Sequence, residues 1–167
     1  MLLTRSAEQL AQNPAQRLAV ALAAEHAART GTIRNLTLDD LDIPNRRLTI
    51  DGHNPRLGDL TERALRAWLD RRHAAWPNTP NRHVIVSANT ALGTGPVGTP
   101  YIRFRLGRNG FSLDRIRVDR ILHEALTTGP DPLHLSLVFN ISHTAAARYT
   151  SVAEHLLSDE LEQTPKP

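Results

Sequence analysis

His26-Ala-Ala-Arg29-Thr-Gly-Thr-Ile-Arg-Asn-Leu36-Thr-Leu-Asp-Asp-Leu-Asp42 is the stretch on which the fold turns. Upstream of it, Pro14 to Arg29 reads as a helix, with Leu18, Ala19, Leu22, Ala23 and Ala27 on one face. Thr30-Gly31 reads as a turn and Thr32 to Leu36 as a short helical turn. Downstream, Leu41-Asp-Ile43 and Leu48-Thr-Ile-Asp51 alternate in strand fashion around the turn signal Pro44-Asn45. Gly52-His53-Asn54-Pro55 makes a second turn, and Arg56 to Leu60 returns as a third strand. The expectation is a small antiparallel sheet of three strands after an opening helix.

The rest of the chain is mostly helical. Thr61 is placed to cap a helix, with Glu62 in its first turn, where negative charge suits the dipole. That helix carries Leu65, Trp68 and Leu69 and stops before Pro77. His83-Val-Ile-Val-Ser87 reads as a short buried strand, and Ala91 to Pro100 as a surface loop. Tyr101 to Leu106 is a short helix or extended piece, followed by a turn at Gly107-Arg-Asn-Gly110. Leu113 to Thr127 is a helix, broken by Gly129-Pro-Asp-Pro132. Leu133 to Val138 and Ser142 to Leu157 follow as a pair resembling a helix-turn-helix. The polar tail from Ser158, ending in Pro-Lys-Pro, is expected to be disordered.

Composition bounds the function. The chain has 167 residues, enough for one domain with a real core, so residues 1–157 are expected to form one domain and 158–167 its tail. Aromatics are only 4%, so Ala, Leu, Val and Ile must build that core. Without cysteine there is no disulfide framework and no thiolate metal site, a composition that fits the cytoplasm. No apolar run reaches the length of a membrane span, and the amino terminus lacks a signal-peptide layout. Net charge is +3, and Lys166 is the only lysine. Arginine suits bidentate contacts to phosphate, although a GC-rich genome also enriches it. His123-Glu124 lacks the second histidine of a zinc hydrolase. Gly93-Thr-Gly-Pro-Val-Gly98 lacks the Gly-Lys-Ser/Thr ending of a phosphate loop.

In this order and over about Ala11 to Leu157, the segments resemble the catalytic domain of tyrosine recombinases, the phage-type integrases. His26-Ala-Ala-Arg29 stands at the family's Thr-Gly-Leu-Arg position, and Leu36 to Asp42 matches the run that follows. Asp114-Arg-Ile-Arg117 stands at the box His-x-Leu-Arg, with Arg115 and Arg120 as rivals for its arginine. Val138-Phe-Asn140 stands where the family has Leu-Gly-His, and Ala147-Arg-Tyr149 matches the nucleophile segment. The resemblance implies an α+β, mainly helical fold with a three-stranded sheet. It implies Tyr149 as nucleophile and Arg29 and Arg117 as the phosphate clamp. The lysine of the hairpin turn is missing from Asp51-Gly-His-Asn-Pro55, which leaves His53 as the nearby proton donor. Asp114 and Asn140 replace the two histidines, and His143 lies three residues beyond Asn140.

The implied activity is site-specific DNA recombination or integration through a 3′-phosphotyrosyl intermediate, without metal, ATP or other cofactor. Arg103, Arg105, Arg108, Arg115, Arg120, His143 and Arg148 are the expected DNA contacts. Expected partners are double-stranded DNA, further copies of the chain assembled on it, or a separate amino-terminal clamping domain. A catalytically inactive DNA-binding remnant is the alternative. A helix-turn-helix regulator ranks behind both, because it has no use for a sheet flanked by Arg29.

Each residue also has a plainer role open to it. Arg29 at a helix end can cap carbonyls. Arg117 can pair with Asp114 one helical turn back, and Tyr149 can be a half-buried helix residue.

Overall fold

The computed structural model describes residues 13–106 and 112–163. The chain divides into two compact units, Met1–Arg117 and Val118–Pro167.

In the first unit, α1 (Pro14–His26) starts with Pro14 in its first turn, and the Asn13 side chain accepts from the Gln16 amide at 2.8 Å. In place of the expected single apolar face, burial extends around the helix. Every residue from Leu18 to Ala24 is buried, so α1 runs through the core and is covered on all sides. Its small side chains make this possible, since alanines let neighbouring elements approach closely. The helix ends at Ala27, a left-handed residue with φ 50°, and the Ala28 amide closes the end on the Leu22 carbonyl at 3.1 Å. α2 (Thr30–Asn35) follows, with Arg29 as its N-cap residue.

Beyond α2, the chain makes a single 3₁₀ turn over Leu38–Asp40. The Asp40 carboxylate accepts from the Thr37 amide at 2.8 Å and the Thr37 hydroxyl at 2.9 Å. The sheet then has two strands, β1 (Leu41–Asp42) and β2 (Arg47–Leu48), antiparallel with Leu41 opposite Leu48. The expected third strand is reduced to one bridge, Arg47 to Arg56. Pro55 brings no amide donor to a ladder, and the chain is already helical from Asp59. The expected strand at His83–Ser87 likewise makes one bridge, Thr37 to His83, because the segment opposite turns away into the 3₁₀ helix. Its side chains do enter the core: Val84, Ile85 and Val86 are fully buried.

α3 (Asp59–Ala75) packs against α1 through Ala64, Leu65 and Trp68. Its N-cap is Gly58, which has no side chain to offer, and Thr61 is not the cap. Glu25 of α1 performs the capping. Its carboxylate accepts from the Leu60 amide at 3.1 Å, the Thr61 amide at 2.8 Å and the Thr61 hydroxyl at 2.7 Å. A Cβ on Gly58 would collide with that carboxylate. Trp68 Nε1 donates to the Val84 carbonyl at 2.7 Å, and buried Arg72 donates to the carbonyls of Asn81 and His83 at 2.5 and 3.1 Å. Burial, with Arg82 nearby, lowers the pKa of Arg72. A π-helical segment, Tyr101–Leu106, lies on α1 and α2 with Ile102 and Leu106 buried.

α4 (Leu113–Thr128) crosses the boundary between the units. In the second unit it is followed by α5 (Pro132–Phe139) and α6 (His143–Gln163). Asp131 caps α5 by accepting from the Leu133 amide at 2.9 Å. Ser142 caps α6 by accepting from the Ala145 amide at 3.1 Å. Ile121, Ala125, Leu135, Ala146 and Ala153 are fully buried and form this unit's core. α6 continues to Gln163, past Leu157, where the polar tail was expected to begin. Residues 164–167 lie outside the described residues.

Candidate nucleic-acid interface

The corner between α1 and α2 gathers the candidate residues of the first unit. Three hydrogen bonds tie two other parts of the chain, α4 and the hairpin turn, to it. Arg117 Nε donates to the Ala27 carbonyl at 2.9 Å. The Thr30 hydroxyl donates to Asp114 Oδ1 at 3.4 Å, a long bond. The Thr32 hydroxyl donates to Asp51 Oδ1 at 2.7 Å. The left-handed turn at Ala27 takes its carbonyl out of the helix, so that a guanidinium from α4 can use it.

Arg29 stands between these ties, exposed, with no hydrogen bond or ion pair to its guanidinium among the described residues. Arg117 is half-buried and uses its Nε, which leaves the two terminal nitrogens of its fork for another acceptor. One tether therefore brings Arg117 to within two residues of Arg29 along the chain. The hairpin turn is brought there as well. Asp51 and Gly52 both adopt positive φ, 47° and 79°. His53 is half-buried, with its amide donating to the Ile50 carbonyl at 3.0 Å and its Nδ1 at 3.5 Å from the Asp51 carbonyl.

An open groove of about 290 Å³ runs past this corner, lined by Thr30, Arg103, Ser112, Leu113 and Asp114. Arg103 and Arg105 are exposed on the π-helical segment, and Arg115 is exposed on α4. Arg105 faces the half-buried Tyr101 closely enough to oppose the rise in its phenol pKa that burial causes. Arg108 lies outside the described residues, as does the Gly107–Gly110 turn.

In the second unit the candidates have different surroundings. Tyr149 is half-buried on α6, at the edge of the stripe formed by buried Ala146, Thr150 and Ala153, while Arg148 and His143 are exposed. Asn140 ends α5 in the left-handed conformation, φ 48°, a position that asparagine tolerates well. Arg120 is engaged inside the unit: it pairs with Glu124 at 2.8 Å and lies 5.2 Å from the centre of the Phe139 ring. His134 approaches the other Glu124 oxygen at 3.0 Å. Burial works against the charge on Glu124, but the His134 and Arg120 donors outweigh it and hold the carboxyl below its ordinary pKa.

Of the residues that fix the corner, Thr30, Thr32 and Asp51 were not singled out in the sequence, and Asp114 stood there only in place of a histidine or as a partner for Arg117. Thr30 and Thr32, alternating just after Arg29, were the available signal. Among the described residues no cluster of three or more His, Cys, Asp or Glu could hold a metal ion. No described helix is long and apolar enough to cross a membrane.

Comparison with solved structures shows a fold similar to one found in a recombinase. Among the solved structures the chain matches is that of XerA recombinase, with a TM-score of 0.73 and 17% identity, over 98% of this chain and 64% of that one. No family model matches the chain, and neither does any curated protein. At this identity the likeness establishes the fold: mainly helical, with a small antiparallel sheet.

Proposed function

We propose that the chain cleaves and rejoins DNA strands in site-specific recombination, as the catalytic domain of a tyrosine recombinase. In this reading Tyr149 Oη attacks a backbone phosphorus. A 3′-phosphotyrosyl bond forms, the bond to the 5′ oxygen breaks, the phenol loses its proton and the leaving oxygen gains one. Arg29 and Arg117 donate to the non-bridging oxygens, where negative charge gathers in the transition state, and as guanidiniums they stay charged throughout. His53 is the residue assigned to proton delivery and Asn140 to a further hydrogen bond. Arg103, Arg105, Arg108, Arg115 and Arg148, with His143, grip the duplex. The partners are double-stranded DNA, further copies of the chain, and a clamping domain supplied separately, in the cytoplasm.

The observation that carries this reading is the bond from Arg117 to the Ala27 carbonyl, which joins two arginines from distant segments in a single corner. A second reading, DNA binding without cleavage, is favoured by Asp114. Its carboxylate takes the Thr30 hydroxyl at a position where the family has a histidine.

A nicked suicide substrate separates the two. An active chain traps as a covalent protein–DNA adduct that Tyr149→Phe abolishes. Retained binding with no adduct leaves the binding-only reading, and absence of both binding and adduct refutes the two together.

A further inference from the structure

Phe104 is 71% exposed, in a chain with only three phenylalanines. Its setting explains why the ring is held out in solvent. Ile102 and Leu106, on either side of it in the π-helical segment, are 0% and 1% exposed. The wide turn of a π-helix puts those two residues on one side and residue 104 on the other. The segment is thus anchored in the core by two aliphatic side chains, and Phe104 projects from a fixed base.

Its immediate neighbours are Arg103 and Arg105, both exposed, with no hydrogen bond or ion pair to either guanidinium among the described residues. Arg103 lines the groove that Thr30 also lines, next to Arg29. An exposed ring between two exposed guanidiniums fits a strand that alternates phosphates with flat aromatic faces. A base stacks on the ring while the guanidiniums meet the phosphates on either side. An apolar protein surface would leave both arginines without partners.

We propose that Phe104 is a base-stacking residue. Resting on the reading that this face binds DNA, it takes an unstacked base beside the phosphate held at the Arg29–Arg117 corner, with Arg103 and Arg105 on the flanking phosphates. Unstacking costs least where a base is already unpaired, so the residue favours DNA distorted next to the bound phosphate.

The test uses the full chain and two short duplexes, one fully paired and one carrying a single bulged 2-aminopurine. Wild-type protein is expected to bind the bulged duplex more tightly and to quench the 2-aminopurine emission. Phe104→Ala should weaken binding to the bulged duplex by about 5- to 100-fold with an unchanged salt slope, because stacking releases no counterions. Phe104→Trp should retain both affinity and quenching. Arg103→Ala and Arg105→Ala should weaken binding to both duplexes and flatten the salt dependence. If wild-type protein binds DNA but Phe104→Ala leaves affinity and emission unchanged, the stacking role is overturned and the DNA-binding reading stands. If wild-type protein binds neither duplex, both fall.

Discussion

Replacing Glu25 by alanine is the most direct test of how the start of α3 is tied to α1. The Glu25 carboxylate accepts from the Leu60 amide, the Thr61 amide and the Thr61 hydroxyl. Thr61 is fully buried, so its hydroxyl and amide cannot turn to water when the carboxylate is removed. A buried polar group left unpaired costs about 1–3 kcal/mol, and bonds to charged acceptors lie towards the upper part of that range. Leu60 is half-buried, and water can replace the bond to its amide. Two unpaired groups therefore put the loss at about 2–5 kcal/mol, a large share of the ~5–15 kcal/mol typical of a whole protein. Glu25→Gln keeps one carbonyl oxygen and should lose about half as much. Thr61→Val removes one donor without leaving a hole and should cost about 1 kcal/mol. Arg66→Ala breaks only an exposed i,i+4 pair with Glu62 and should change stability by about 0.5 kcal/mol or less. Urea unfolding followed by circular dichroism, with m-values compared, measures all four. A Glu25→Ala loss below about 1 kcal/mol at unchanged m would refute the capping role.

The remaining predictions concern the site and acid stability. Arg117→Lys removes the fork that holds the Ala27 carbonyl through Nε while presenting its terminal nitrogens elsewhere. Adduct formation on the nicked substrate should fall by about 10²–10³-fold, as for loss of a charge-stabilising donor. A rate within a few-fold of wild type would remove Arg117 from the clamp. Because the pKa of Glu124 is lowered in the folded chain, the stabilisation it provides is complete above the unfolded value of about 4.5 and is lost as pH falls through the lower folded value. Glu124→Gln should therefore flatten the acid limb of stability below about pH 4.5. An acid limb of unchanged slope in urea titrations would show that this carboxylate does not couple to folding.

Much of the helix order was legible because it is written locally. Pro14 opens the first helix as expected, while Pro132, read as part of a break, opens the next helix behind its cap Asp131, and Asn140, read as a site residue, is also a left-handed helix stop. The cap of α3 was not legible. Thr61 had the right chemistry for a cap, but the acceptor came from Glu25, 36 residues earlier, and Thr61 became a donor to it. The third strand failed for a similar reason. Alternation around Leu57 gave a strand pattern, yet Pro55 and the early start of α3 left room for a single bridge. At the site, Arg29 and Arg117 were visible as residue types in order, and the tether of Arg117 to the Ala27 carbonyl, two residues before Arg29, depends on a backbone turn that composition does not encode. Arg120 shows the opposite case: expected as a DNA contact and a rival for the second arginine, it is engaged within its own unit by Glu124 and the Phe139 ring.

The close approach of Gly58 to Glu25 also bears on how such a chain can diverge. Any side chain at position 58 needs the volume that the carboxylate fills, and any shorter residue at position 25 strands the amides of the next helix. Neither position can drift alone. A lineage that replaces one must replace the other in the same step or pass through a poorly folded intermediate. The pair should therefore be inherited as a unit even where the surrounding residues have been exchanged almost completely.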